Sequence, residues 1–210
     1  MGRVTRRRRA SLVVLLACVP AQAASRGARV DRYPTVTVSH TGFGKSIAFK
    51  LYDAQGHAVR KEVRRLEELL RCHHTGRRHA LDHRLVALLY RVARHYPGQR
   101  IEVVSGYRHP RIARQKGTRR SFHTRGRAAD IRVPGVANET LRDYLRMVDH
   151  VGVGYYPNST FVHVDVRDDR SAYWIDRSGP GARPDYIAEE DLGEEQVAGA
   201  SSDSSAPAAR

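Results

Sequence analysis

The segment Ser121-Phe122-His123-Thr124-Arg125-Gly126-Arg127-Ala128-Ala129-Asp130-Ile131-Arg132-Val133 decides how the chain is read. From Gly126 onward it alternates as a strand does, with Ala129, Ile131 and Val133 on one face and Asp130 and Arg132 on the other. The apolar face belongs against a core, which leaves Asp130 on the face away from it. Gly126 and the small pair Ala128 and Ala129 let the chain turn out of the loop bearing His123 and run close beside neighbouring strands. Further along, Phe161-Val162-His163-Val164-Asp165 repeats the pattern. Val162, Val164 and Val166 face the core, while His163 and Asp165 point together into a cleft.

Two imidazoles and a carboxylate suit zinc. Catalytic zinc sites keep three protein ligands and leave the fourth position to water, whereas structural sites close all four, often with thiolates. The chain has two cysteines, Cys18 and Cys72, and the first lies in a leader-like segment, so a thiolate-rich closed site and an internal disulfide of the processed chain are both excluded. Each histidine alone reads as an ordinary hydrogen-bonded residue. Order and spacing together point to His123, Asp130 and His163 converging on one ion.

Working outward, Val151 to Tyr156 and Phe161 to Arg167 read as paired strands joined around Pro157-Asn158-Ser159, and Ile101 to Tyr107 as a strand ending in a turn. Val30 to Asp53, broken by Gly42 and Gly44, suits a β-hairpin. Val63, Leu66 and Leu70 recur at helical spacing. A second helix is capped by Asp82 and carries Leu85, Leu88, Leu89, Val92 and Tyr96 up to Pro97-Gly98. Asn138 is expected to cap a third, with Leu141, Tyr144, Leu145 and Val148 on one face. The fold class is α+β, with a mainly antiparallel sheet and helices packed on one side.

The Ser-x-His-x-x-Gly-x-Ala-x-Asp pattern from Ser121, the upstream Ser105-Gly106-Tyr107-Arg108-His109-Pro110 and the downstream Gly152-Val-Gly154 to Phe161-Val-His163-Val-Asp165 closely resemble the YcbK-like branch of the zinc D-Ala-D-Ala carboxypeptidase and murein endopeptidase group. The resemblance covers roughly residues 35–175 and includes His40-Thr41-Gly42. It implies a hedgehog/D-Ala-D-Ala-peptidase-like fold and a zinc peptidase that cuts stems or cross-links of peptidoglycan, with His123, Asp130 and His163 as metal ligands. Arg108 is implied to stabilise an oxyanion or hold a substrate carboxylate, and Ser121 to bind the substrate backbone. Some relatives carry a glutamate or a histidine shortly before the last zinc histidine. Here Thr160 and Phe161 stand in that region, and neither is a useful base. Asp165 is the candidate base, or else a group that orients a ligand. Where the branch reads Ser-Pro after Gly-Tyr-Arg, this chain has His109-Pro110. The loop that follows looks shortened and is basic: Arg111, Arg114, Lys116, Arg119 and Arg120.

The ends and the charge set the compartment. Arg3 and Arg6 to Arg9, then a short apolar run and Ala21-Gln22-Ala23, have the order of a secretory signal peptide over residues 1–24. Leu15-Leu16-Ala17-Cys18 is lipobox-like, so membrane attachment is expected only if Cys18 is lipidated. Residues 25–178 form the metallopeptidase-like domain, and 179–210, rich in Gly and Pro, then acidic, then Ser and Ala, are expected to be disordered. The leader holds five arginines and 189–210 six acids against one arginine, so the body retains the whole formal excess of +15. A body that basic is drawn to anionic polymers. In an exported monomer of the periplasm or cell wall these are wall polymers; the leader and the lack of basic residues interleaved with stacking aromatics argue against nucleic acid. Cys72-His73-His74 and His79-x-x-x-His83 imitate a zinc finger but leave little room for one, and read as an exposed turn between helices. A zinc-containing wall-binding module that keeps the fold without hydrolysis is the alternative function.

Overall fold

The structure is a computed structural model that describes residues 31–115, 121–179 and 182–187. The leader, including Cys18, lies outside them, as do Lys116, Arg119, Arg120 and most of the tail. The expected hairpin forms from β1 (Val36–His40) and β2 (Lys45–Phe49), joined by a 3-10 turn at Thr41–Phe43 that ends on Gly44 at φ +59°. Two helices follow, α1 (Arg60–Leu69) and α2 (His83–His95), the second capped by Asp82, whose carboxylate accepts from the Arg84 N–H at 2.9 Å. Then come β3 (Arg100–Ser105), the short α3 (Pro110–Gln115), a 3-10 turn at Phe122–Arg125, β4 (Ala128–Arg132), α4 (Asn138–Arg146), β5 (Val151–Tyr155), β6 (Val162–Val166), β7 (Ala172–Asp176) and β8 (Tyr186–Ile187).

All eight strands join one sheet in the order β2-β1-β3-β4-β6-β5-β7-β8. The sheet is mixed. β1 with β3 and β5 with β7 run parallel, and the other neighbouring pairs run antiparallel. The parallel pairs arise where helices intervene between β1 and β3 and where the chain crosses over from β5 past β6 to β7. Leu66 and Leu70 of the α1 region, Leu85, Leu89 and Val92 of α2, and Leu141 and Leu145 of α4 form one core with Val38, Val103, Ile131, Val153 and Val164 of the sheet. Transfer of such side chains from water contributes roughly 1.5–3 kcal/mol each.

Three readings need correction. Asn138 is the first residue of α4 rather than its cap: Ala137 holds the cap position without a side-chain bond, and the Asn138 amide donates instead to the Ser159 carbonyl at 3.2 Å. A distant carbonyl has outcompeted the local helix end. β7 is a strand beyond those expected from the sequence. The stretch expected to lack structure after Ser178 contributes β8, because the Asp176 carboxylate accepts from the backbone N–H groups of Ser178 and Asp185 and brings the chain back to pair with β7.

Candidate metal centre

The site lies on the sheet face opposite the core. Strand register makes its first contact: Asp130 of β4 and His163 of β6 are direct cross-strand partners, and both side chains leave the same face. His163 Nδ1 lies 2.9 Å from Asp130 Oδ1. His123 arrives from the 3-10 turn, which Ser121 begins by accepting the His123 N–H on its hydroxyl at 3.3 Å and Gly126 ends at φ +65°. A Cβ on Gly126 would stand 2.3 Å from the Ala80 carbonyl oxygen. Both the left-handed conformation and this close approach therefore require glycine.

His123 Nε2 lies 3.2 Å from His163 Nδ1 and 3.2 Å from Asp130 Oδ1. Three donor atoms thus form a triangle with edges of 2.9–3.2 Å. Tetrahedral zinc with bonds of about 2.0 Å places its ligand atoms about 3.3 Å apart, so the triangle fits zinc with little adjustment. Among the described residues it is the one group of three such side chains able to hold a metal ion, and all three are buried.

The atoms behind the triangle fix its tautomers. His123 Nδ1 lies 2.8 Å from the Gly106 carbonyl oxygen, which can only accept, so Nδ1 carries the proton and Nε2 offers its lone pair inward. His163 Nε2 faces Asp165 Oδ2 at 3.3 Å, leaving Nδ1 for the triangle. Burial by itself opposes charge on His163, but bonds to Asp130 and Asp165 outweigh it and raise its pKa. Burial would likewise raise Asp130, yet the nearby His123 and His163 hold its carboxyl far below the usual range. The cluster is built to stabilise positive charge among oxygen and nitrogen donors.

Asp165 meets the outer nitrogen of His163. It is 1% exposed, and Arg167 donates to it from Nε at 2.8 Å and Nη2 at 3.2 Å. Burial pushes its pKa up, and bonds from His163 and Arg167 overcome this and lower it. Arg108 Nη2 lies 3.7 Å from Asp130 Oδ2 and 3.4 Å from Ser105 Oγ. The basic residues Arg111 and Arg114 are exposed on α3.

In the sequence motif Gly152 and Gly154 have no role at the site, and Trp174 was not singled out from sequence. Gly152 and Gly154 flank β6 opposite Asp165 and His163. A Cβ on Gly152 would stand 2.3 Å from Asp165 Oδ2, and one on Gly154 2.6 Å from the Trp174 ring. Trp174 on β7 thereby lies across Gly154 with its ring 5.3 Å from that of His163, and its indole N–H donates to the Tyr156 hydroxyl at 3.4 Å. The Cys72-His73-His74 turn is exposed at its two histidines, as expected. It also lines a cleft of about 290 Å³ together with Ser105, Tyr107, Arg108, Asp130 and Phe161. Only the folding of α1 against the end of β3 brings it there.

A family model described as peptidoglycan L,D-endopeptidase MepK matches residues 28–172. The chain is 30% identical over 137 residues to the peptidoglycan L,D-endopeptidase MepK of Escherichia coli (strain K12), which covers 62% of this chain and 75% of that protein. The probable peptidoglycan L,D-endopeptidase MepK of Haemophilus influenzae is 32% identical over 111 residues, covering 49% and 60%. No solved structure matches the chain. The match spans Ser105 to His163, and with them every residue of the triangle, so the chain belongs to the peptidoglycan L,D-endopeptidase MepK family of metallopeptidases.

Proposed function

We propose that this protein is a zinc-dependent endopeptidase that hydrolyses peptide bonds in the stems or cross-links of peptidoglycan, with the bond between an L and a D centre as its target. The observation that carries this is the triangle of His123 Nε2, Asp130 Oδ1 and His163 Nδ1, with the other ring nitrogen of each histidine turned outward to the Gly106 carbonyl and to Asp165. The chemistry supplied by zinc at such a site is Lewis-acid polarisation of the scissile carbonyl and acidification of water. Arg108 beside Asp130 is placed to stabilise negative charge developing on the substrate. Asp165 acts through His163 and Ser121 through the His123 turn, which makes both positioning residues. Trp174, Tyr156 and Phe161 form an aromatic wall that limits water at one side of the site.

The same reading includes export to the periplasm or wall through the leader at 1–24, a catalytic domain over 25–178 of the hedgehog/D-Ala-D-Ala-peptidase type, and action as a monomer. No helix among the described residues is long and apolar enough to cross a membrane. Digestion of purified peptidoglycan, with the products read by mass spectrometry, tests the function. Muropeptide cleavage is expected with about one equivalent of zinc per chain, and its loss with a chelator and in His123→Ala. A zinc-loaded wild-type protein that binds peptidoglycan and releases no fragments would instead mark a non-catalytic wall-binding module.

A further inference from the structure

The cleft beside Asp130 has a wall that the proposed ligand set does not use. It is made by the turn after α1, whose Cys72, His73 and His74 line the cleft with Arg108, Asp130 and Phe161. The turn is held closed by the Gly76 N–H on the Cys72 carbonyl at 2.7 Å and the Cys72 N–H on the Arg77 carbonyl at 2.9 Å. It is tied to the end of β3 by the Tyr107 N–H on the Leu70 carbonyl at 2.8 Å, and Gly106 sits so close that a Cβ there would stand 2.6 Å from the same oxygen. The His73 ring in turn lies over Gly42, where a Cβ would stand 3.3 Å from its Cγ. The two imidazoles are thus carried on an anchored turn rather than a free loop.

The charge of the lining is one-sided. Asp130 is its single acid, and that carboxylate is engaged with His123, His163 and Arg108. Beside that carboxylate the cleft is lined by the Arg108 guanidinium and two imidazoles, groups that can donate hydrogen bonds to an anion. A terminal D-alanine and a cross-linking diaminopimelate both present a carboxylate on the carbon attached to the scissile amide nitrogen. Such a carboxylate sits within one residue of the carbonyl that the metal centre would polarise, and the histidine turn and Asp130 line the same cleft.

We propose that His73 and His74, beside Arg108, form a subsite that binds the substrate carboxylate on the amine side of the scissile bond. This rests on the peptidase reading above and adds to it the group that the enzyme selects. The test is steady-state cleavage, by the zinc-loaded full-length protein, of two soluble peptides with the same scissile bond. One carries the free carboxylate on its amine-side residue, and the other carries the carboxamide.

For the wild type, KM for the amide is expected to be about tenfold higher than for the carboxylate, the loss of roughly one charge-assisted hydrogen bond. In the double variant His73→Gln, His74→Gln, at two exposed positions, this preference collapses to within about twofold. His74→Arg on the His73→Gln background restores it, a rescue that a merely structural role would not produce. Equal KM values for both peptides in the wild type, or a preference that survives in the double glutamine variant, would overturn the subsite and leave the peptidase reading standing. Cleavage of neither peptide by zinc-loaded wild type would overturn the peptidase reading itself.

Discussion

Replacing Asp165 with asparagine separates two roles that a carboxylate on this strand can take. As a general base it would accept a proton from water during catalysis; as a positioning group it holds His163 so that Nδ1 faces the metal. Asparagine keeps the size and one carbonyl acceptor but removes the charge. The contact with His163 Nε2 is long, 3.3 Å, which puts its loss near the low end for a charge-assisted bond, about 1.5 kcal/mol. Zinc affinity should therefore fall about tenfold, the lower edge of the range for groups that orient metal ligands. The Arg167 side chain is 22% exposed and also rests against Phe122 and Trp174. Losing its partner's charge should cost only about 1–2 kcal/mol of stability, short of the roughly 3–5 kcal/mol for a fully buried broken pair. Competition with a chelator of known affinity gives the zinc Kd, and rates at saturating zinc give kcat. With the site filled, kcat should stay within about threefold of wild type. An unchanged zinc Kd with kcat lowered about a thousandfold would refute the positioning role and return Asp165 to proton transfer.

Two further outcomes follow from the fold around the site. Gly126→Ala forces a residue with a side chain into φ +65° and aims its Cβ at the Ala80 carbonyl oxygen, which should destabilise the protein by about 2–4 kcal/mol in urea denaturation and weaken zinc binding through the displaced His123 turn. His40 is fully buried, and burial, followed by the nearby His73 and Arg71, lowers its pKa to about 4. The unfolded chain binds a proton here near pH 6.5 while the folded protein does not until about pH 4. Its contribution to stability is therefore complete above pH 6.5, is lost as pH falls towards 4, and is constant below. Acidification across that window should cost about 3 kcal/mol, and the slope should flatten in His40→Gln; an equal slope in both proteins would place the acid sensitivity elsewhere.

The parts of the molecule that were legible in the sequence are those governed by local periodicity. Alternation in Ala129 to Val133 and Val162 to Val166 placed Asp130, His163 and Asp165 on one strand face, and the apolar stripes of α1, α2 and α4 located the helices. The convergence of His123, Asp130 and His163 was readable because they are carried by strand faces and by a turn whose glycine and serine mark its ends. What alternation could not convey is what lies beyond a strand's own face. That Asp165 is claimed by Arg167 and by the outer nitrogen of His163 depends on side-chain directions across that face.

The Cys72-His73-His74 turn shows the same limit more sharply. Locally it is an exposed turn, and nothing within it points to a site. It becomes a wall of the cleft because Leu70 meets Tyr107 across a gap that only Gly106 permits, a contact between residues far apart in sequence. Trp174 reaches His163 for a related reason, since Gly154 between them has no side chain to keep the ring away. The sequence by itself determined which residues have the chemistry to hold a metal and which faces they occupy, because backbone periodicity is local. The tertiary structure alone decided which groups orient those side chains and what lines the cleft beside them, because those depend on long-range packing through positions where a missing Cβ lets distant segments touch.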